Sequence, residues 1–311
     1  MSWFAKASRR WCCPRSLSAA KLCKITACLY SLVARCLTLM AGLLRVSCPE
    51  ECNNRLPVRE SIVLIATTTE CFKHLSFDEA IQRISDLEFT SVEIAIHENS
   101  RQLTPAQVVD DLEAAIFLCH NPQRLHVVAY SFQSSANDED FFQQFEAICR
   151  LAKATRVVSV TVDSGELGTP FNQEVERLRR LVAIASTQGV RVGMRSQVGC
   201  LSEDPDTVTV LCDNVEGLGL TLDPSHYICG PHSGRDYDKL MKYVCHVQLR
   251  DTSTDDMQVQ VGQGEIDYGR LTTQLNLVNY NRALSVHIMD IPGIEHVGEL
   301  RKMRLLLESL L

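Results

Sequence analysis

The sequence predicts an α/β fold of the (β/α)8 barrel type, and three observations lead there. From residue 61 onward, short apolar, β-branched runs alternate strictly with segments whose apolar residues recur at helical spacing. Strict strand-then-helix alternation requires parallel strands with crossover helices on the outside. Eight such units in roughly 250 residues match a closed barrel better than an open doubly wound sheet. No G-x-G-x-x-G follows the first strand, so a dinucleotide-binding sheet has little support.

Each element has a local reason. SIVLIATT (61–68) is a first strand. SFDEAIQRISDLEF (76–89) spaces Phe77, Ile81, Ile84 and Leu87 on one helical face, with Ser76 and Glu79 at capping-box positions. SVEIAI (91–96) is the second strand, and Thr104-Pro105 opens one helix to about His120. RLHVVAYSF (124–132) is the third strand, and Asp138 to Ala152 is helical. RVVSVTVDSG (156–165) is the fourth, followed by a helix from Asn172 to Thr187 that ends before Gly189. VRVGMRSQ (190–197), GLGLTLDPSH (217–226), CHVQLRD (245–251) and ALSVHIMD (283–290) are strands five to eight. The helices after them span 204–212, 236–243, 267–277 and 295–310.

Charge and cysteine are unevenly spread along the 311 residues, whose net charge is -7. Residues 1–60 hold ten Lys/Arg against three Asp/Glu, so the remainder is strongly acidic. An acidic body lacks the basic footprint that nucleic-acid binding needs, which leaves a small-molecule ligand as the expected partner. Seven of the 14 cysteines fall in residues 12–52, and the other seven are scattered singly with no CxxC pair, as buried free thiols of a reducing cytoplasm would be. Residues 25–44, ITACLYSLVARCLTLMAGLL, are just long enough to span a bilayer but carry Arg35 in the middle. They are read as part of a non-core N-terminal extension (1–60): a signal or anchor, an amphipathic surface helix, or sequence translated upstream of the true start. The barrel domain is placed at 61–311, and a cytoplasmic location is expected unless that segment is a real targeting signal. Membrane association is expected only through it.

Polar residues at the C-terminal ends of barrel strands face a shared mouth, where barrel enzymes do their chemistry. Strand two contributes Glu93, strand four Asp163, strand five Arg195 and Gln197, and strand six Asp223 with His226 just after it. Side chains alternate along a strand, so His246, Gln248 and Arg250 of strand seven share the inner face, as do Ser285 and His287 of strand eight. Asp251 has the opposite phase and is read as capping the next turn, with Glu265 a solvated loop acid. Singly, each has a structural explanation. Together they are costly to bury unless paired, hydrated or bound to a ligand.

LTLDPSHYICG, HVQLRD, VGQGEIDYGRL and YNRALSVHI, in that order and spacing, resemble the sugar phosphate isomerase/epimerase superfamily, the xylose isomerase-like TIM barrels. The likeness covers roughly residues 61–311. It implies a divalent metal, often manganese, held by a Glu on strand five, an Asp on strand six, a His or Gln on strand seven and a Glu on strand eight. The two Glu residues also shuttle protons between neighbouring sugar carbons. By position, the resemblance makes Asp223 and Gln248 the metal ligands and His226 a substrate contact.

At the two glutamate positions stand Arg195, in VRVGMRS, and His287, in LSVHI. A guanidinium has no lone pair to give and repels a divalent cation about 4–5 Å away by a few kcal/mol. Asp223, Gln248 and His287 alone are an oxygen-poor set for manganese or magnesium. The expectation is that Arg195 fills the vacated metal position and pairs with Asp223. If catalysis persists, His287 is a single base, with Arg195 polarising a carbonyl or holding a phosphate and His226 beside them. Glu93, Asp163, His246 and Arg250 are the expected substrate-binding groups. Two functions stay open: an isomerase- or epimerase-type enzyme of a small sugar, sugar phosphate or keto-acid, and a metal-free barrel that binds a ligand or serves as a scaffold without turnover.

Overall fold

In the computed structural model, residues 63–120 and 122–311 are described. The expectations placed on residues 1–60 lie outside them. No helix among the described residues is long and apolar enough to cross a membrane. Eight strands pair in sequence order and close into one parallel barrel within the unit Glu60–Leu311. They are β1 (Leu64–Thr68), β2 (Ser91–His97), β3 (His126–Gln133), β4 (Ser159–Val162), β5 (Arg191–Arg195), β6 (Gly219–Leu222), β7 (Val244–Leu249) and β8 (Ala283–Val286). The helices are α1 (Phe77–Asp86), α2 (Pro105–Asp110), α3 (Leu112–Cys119), α4 (Asp138–Thr155), α5 (Phe171–Thr187), α6 (Pro205–Asn214), α7 (Ser225–Ile228), α8 (Tyr268–Leu277) and α9 (His296–Glu308).

Capping follows the sequence. The Glu79 carboxylate accepts from the Ser76 N–H at 3.0 Å and its hydroxyl at 2.7 Å, closing the expected box on α1. The single helix expected from Thr104 to His120 is two. Asp111 (φ -143, ψ 84) breaks it, and its carboxylate accepts from the Ala114 N–H at 2.9 Å, so it is the N-cap of α3. Between β6 and β7, the helix expected at 236–243 is a tighter 3-10 segment, Asp238–Tyr243.

The core lies between the barrel and the helix ring. Val92, Ile94, Val160, Val162, Leu220, Leu222, Val247 and Leu249 are buried outward-facing strand residues of that shell. The barrel interior is polar where barrels of this type usually stack branched aliphatics. Thr67, Ser91, Glu93, Ser131, Thr161, Thr221, His246, Gln248 and Ser285 are all buried. Thr161 and Thr221 hydroxyls bond across it at 2.8 Å. Gly193 is required there: an added Cβ would lie 2.3 Å from Thr221 Oγ1 and 2.9 Å from Cys245 Sγ. Two register shifts, at Val92/Glu93 against β3 and Leu220/Thr221 against β7, set Ser131 level with Ala95 and His246 level with Thr221. The seven cysteines of the described residues are free, and all but the half-buried Cys229 are buried.

Candidate functional site

Two bonded networks fill the mouth. The deeper one runs from β7 to β2 and on to β4. His246 Nε2 lies 2.9 Å from Glu93 Oε2, and Gln248 Nε2 donates to Glu93 Oε1 at 2.6 Å. Both partners of the Glu93–His246 pair are enclosed, at the floor of the mouth. Burial pushes the Glu93 carboxyl up, but the charge and hydrogen bond of His246 outweigh it and bring the group down to about 2. Arg195 Nη2 donates to Ser131 Oγ at 2.7 Å, and its Nε lies 3.4 Å from Asp163 Oδ1. Asp163 Oδ2 accepts from Gln133 Nε2 at 2.7 Å.

The upper network belongs to Asp223. Its cation is Arg250, not Arg195: Arg250 Nη2 donates to Asp223 Oδ2 at 2.7 Å and Nε donates to the same oxygen at 3.1 Å. The expected Arg195–Asp223 pair is therefore corrected. Arg250 stands on the neighbouring strand and reaches Asp223 first, while Arg195 leans the other way, toward β3 and β4. Asp223 Oδ1 accepts from the Ser225 N–H at 3.1 Å and from the Ser225 hydroxyl, at the start of α7. Its own N–H donates to Ser196 Oγ at 2.7 Å. Burial opposes ionisation of Asp223, but Arg250, His226 and the Ser225 hydroxyl prevail and hold it at about 2.

Both mouth imidazoles have assigned faces. Arg250 Nη2 has only protons to offer, so it donates to His287 Nδ1 at 3.1 Å, and the ring proton of a neutral His287 sits on Nε2. That nitrogen lies 3.3 Å from Glu70 Oε2. Likewise the Val198 N–H donates to His226 Nδ1 at 3.2 Å, leaving Nε2 toward Asp223 Oδ2 at 3.6 Å. Burial, assisted by Arg250, Arg195 and His287, keeps His226 below the usual imidazole range against the pull of Asp223. In this arrangement neither ring has a lone pair free to act as a base.

Glu70 is a site residue that sequence reasoning missed. It follows β1 in a 3-10 turn whose N-cap, Thr68, accepts from the Glu70 N–H. Its carboxyl, raised by burial but lowered more by His287, Arg195 and His97, settles at about 2. The signal was present in the sequence: it is the acid just past the end of strand one. Asp251 turns outward as expected. Its Oδ2 accepts from the Gly262 and Gly264 N–H groups at 2.7 and 3.1 Å, and it pins the glycine loop. Glu265 is exposed and holds Thr254. Gln197, expected at the mouth, has a buried Oε1 without a partner.

A divalent metal does not fit these donors. Both oxygens of Asp223 are occupied, one by a guanidinium that a metal would have to displace. Gln248 spends its amide nitrogen on Glu93, leaving a lone Oε1. Arg195 and His287, both buried, stand at the two positions where the family resemblance calls for carboxylates. Among the described residues, no group of three His, Cys, Asp or Glu side chains is placed to hold an ion.

Residues 81–304 match the family model described as xylose isomerase-like TIM barrel. No curated protein matches the chain. Solved structures agree on the fold. A xylose isomerase domain protein from Planctomyces limnophilus superposes with a TM-score of 0.62 at 14% identity, over 81% of this chain and 97% of its own. The 3-keto-D-glucoside 4-epimerase from E. coli gives 0.63 at 15% identity, over 79% and 99%. An IOLI protein with a bound zinc atom gives 0.61 at 14%, over 80% and 98%. With its closed eight-strand barrel and a family match across most of its length, the chain belongs to the xylose isomerase-like TIM barrels.

Proposed function

We infer that the barrel mouth binds a small hydroxyl- and carbonyl-bearing molecule, of the sugar or keto-acid kind, through side chains alone rather than through a bound divalent metal. The observation that carries this reading is a set of buried atoms without hydrogen-bond partners in the mouth: Asp163 Oδ1, Arg195 Nε, Gln248 Oε1 and His287 Nε2. Leaving such atoms unbonded costs about 1–3 kcal/mol each, and a ligand presenting hydroxyls and a carbonyl recovers that cost. Arg195 is the natural carbonyl or carboxylate anchor, since it is buried, permanently charged and shared with a single carboxylate at 3.4 Å. The description of two structural neighbours as sugar epimerases supports the ligand class.

The family's two-carboxylate proton shuttle has no counterpart, because Arg195 and His287 replace both acids. The reading is tested by thermal shift and calorimetry on a panel of sugars and keto-acids, without metal. At least one compound should stabilise the wild-type chain, and Arg195→Met should lose that response. A panel that acts only when manganese is added would contradict it.

One observation favours a second reading, proton transfer without metal. His287 Nε2, which carries the ring proton, is only 3.3 Å from Glu70 yet lacks hydrogen-bond geometry to it, so it is free to donate that proton to a ligand carbonyl oxygen as a general acid, with the Glu70 carboxylate beside it to take the proton from the neighbouring carbon. Incorporation of solvent deuterium next to a sugar carbonyl, lost in His287→Gln, is the result this reading expects. A bound sugar that never exchanges leaves binding without turnover.

A further inference from the structure

We propose that the cavity at the ends of β2, β3 and β4 is an arm of the mouth that takes an uncharged, hydroxyl-rich part of the ligand and turns away phosphate esters. The proposal rests on the reading that the mouth binds a sugar-like molecule, and it narrows the chemical class. The cavity measures about 440 Å3, within the range of small-ligand sites. It joins the mouth through Asp163, whose Oδ2 accepts from Gln133 while its Oδ1 is buried without a partner. The buried Arg195 Nε, equally unpartnered, faces that oxygen at 3.4 Å. A hydroxyl donor extending from the mouth meets Asp163 Oδ1 first. Phe132 and Phe141, with ring centroids 5.1 Å apart, give the cavity an apolar wall suited to the C–H face of a polyol.

The charges decide the selectivity. Each guanidinium near the arm already has a carboxylate. Arg177 Nε and Nη2 donate to Glu174 at 2.8 and 2.9 Å, and Arg195 faces Asp163. Glu98 and Glu166 line the same cavity, and among the described residues neither has a Lys, Arg or His within ion-pair distance. Glu98 instead accepts from the Ser134 and Ser135 hydroxyls and the Ser135 N–H, which hold its carboxyl below the ordinary range. His97 is the remaining titratable group on the wall. Two uncompensated carboxylates therefore oppose a phosphate monoester, which brings about -1.5 to -2 charges of its own. In a water-like dielectric each pair of unit charges roughly 7 Å apart costs about three-fold in affinity, so the three to four pairs cost roughly 20- to 50-fold unscreened, of which roughly ten-fold or more remains at about 0.01 M ionic strength.

The test uses the full chain at pH 8 and about 0.01 M ionic strength, without metal, in calorimetric titrations with D-fructose and its 1- and 6-phosphates. D-fructose should bind at least ten-fold tighter than one of the two esters. Glu166→Lys, a change at an exposed position, should narrow the ratio of D-fructose to ester affinity at least three-fold. Esters that bind wild type as tightly as the parent sugar, or a gap that Glu166→Lys leaves unchanged, overturn the proposal. Absence of heat with all three compounds sinks the mouth reading and this proposal together. If Arg195→Met binds D-fructose as well as wild type while the ester penalty persists, the anchoring role of Arg195 fails and the arm stands.

Discussion

Arg250→Met should cost the fold more stability than almost any other single change at the mouth, because it leaves a carboxylate enclosed without its cation. Asp223 is 0% exposed and Arg250 only 11%, and two N–H groups converge on one oxygen at 2.7 and 3.1 Å. Removing one partner of a buried pair typically costs about 3–5 kcal/mol. The open mouth admits some water to the Arg250 side, so about 3 kcal/mol is the expectation, or roughly 6–12 °C in Tm for a domain of this size. The pH dependence has a definite sign. With Arg250 present, the folded carboxyl sits at about 2 against an ordinary 3.8, so its contribution is complete above pH 4 and fades as pH falls toward 2. In Arg250→Met that contribution is gone and the carboxyl rises. A double-mutant cycle isolates the pair: Asp223→Asn in the Arg250→Met background should restore about 2 kcal/mol, since a neutral amide needs no counter-charge. Scanning calorimetry or fluorescence melts at pH 7 and at about pH 2.5 read all of this. An Arg250→Met protein melting within about 2 °C of wild type at pH 7, with no rescue by Asp223→Asn, would refute the placement of Arg250 on Asp223.

Two further outcomes follow from named contacts. His226 is held neutral by burial and neighbouring cations, so the unfolded chain takes up its proton first as pH drops below roughly 6.5. Melts between pH 7.5 and 5.5 should show stability falling in wild type and a shallower fall in His226→Gln; equal slopes would contradict it. Gly193→Ala would push a methyl to 2.3 Å from Thr221 Oγ1 inside the barrel, and should destabilise by about 1–3 kcal/mol in urea unfolding, with an unchanged melt as the contrary result.

Strand periodicity alone placed all eight strands and the inward phase of His246, Gln248 and Ser285, because a period of two admits no ambiguity once one face is buried. What it could not place was reach across the mouth. Arg195 and Arg250 are both inward-facing on their strands, and only the packed geometry assigns Asp163 to one and Asp223 to the other. The polar barrel interior hid a second distinction. Glu93 and His246 look like mouth residues by strand position, yet one layer of depth turns them into an enclosed pair. Asp111 broke an expected helix without Gly or Pro, by offering its carboxylate to the next turn, a competition that helical spacing does not register. Glu70 was legible by the strand-end rule but sat beyond the β-branched run that drew attention.

Arg250 on Asp223, with Arg195 and His287 in place of two acids, leaves no home for a divalent metal in a barrel whose resemblance to the metal-dependent isomerases calls for one. A manganese titration of the metal-stripped chain, with free Mn2+ followed by paramagnetic resonance, tests this most directly. The prediction is no stoichiometric site in wild type, with Asp223→Ala indistinguishable from it. One manganese bound per chain and lost in Asp223→Ala would contradict it.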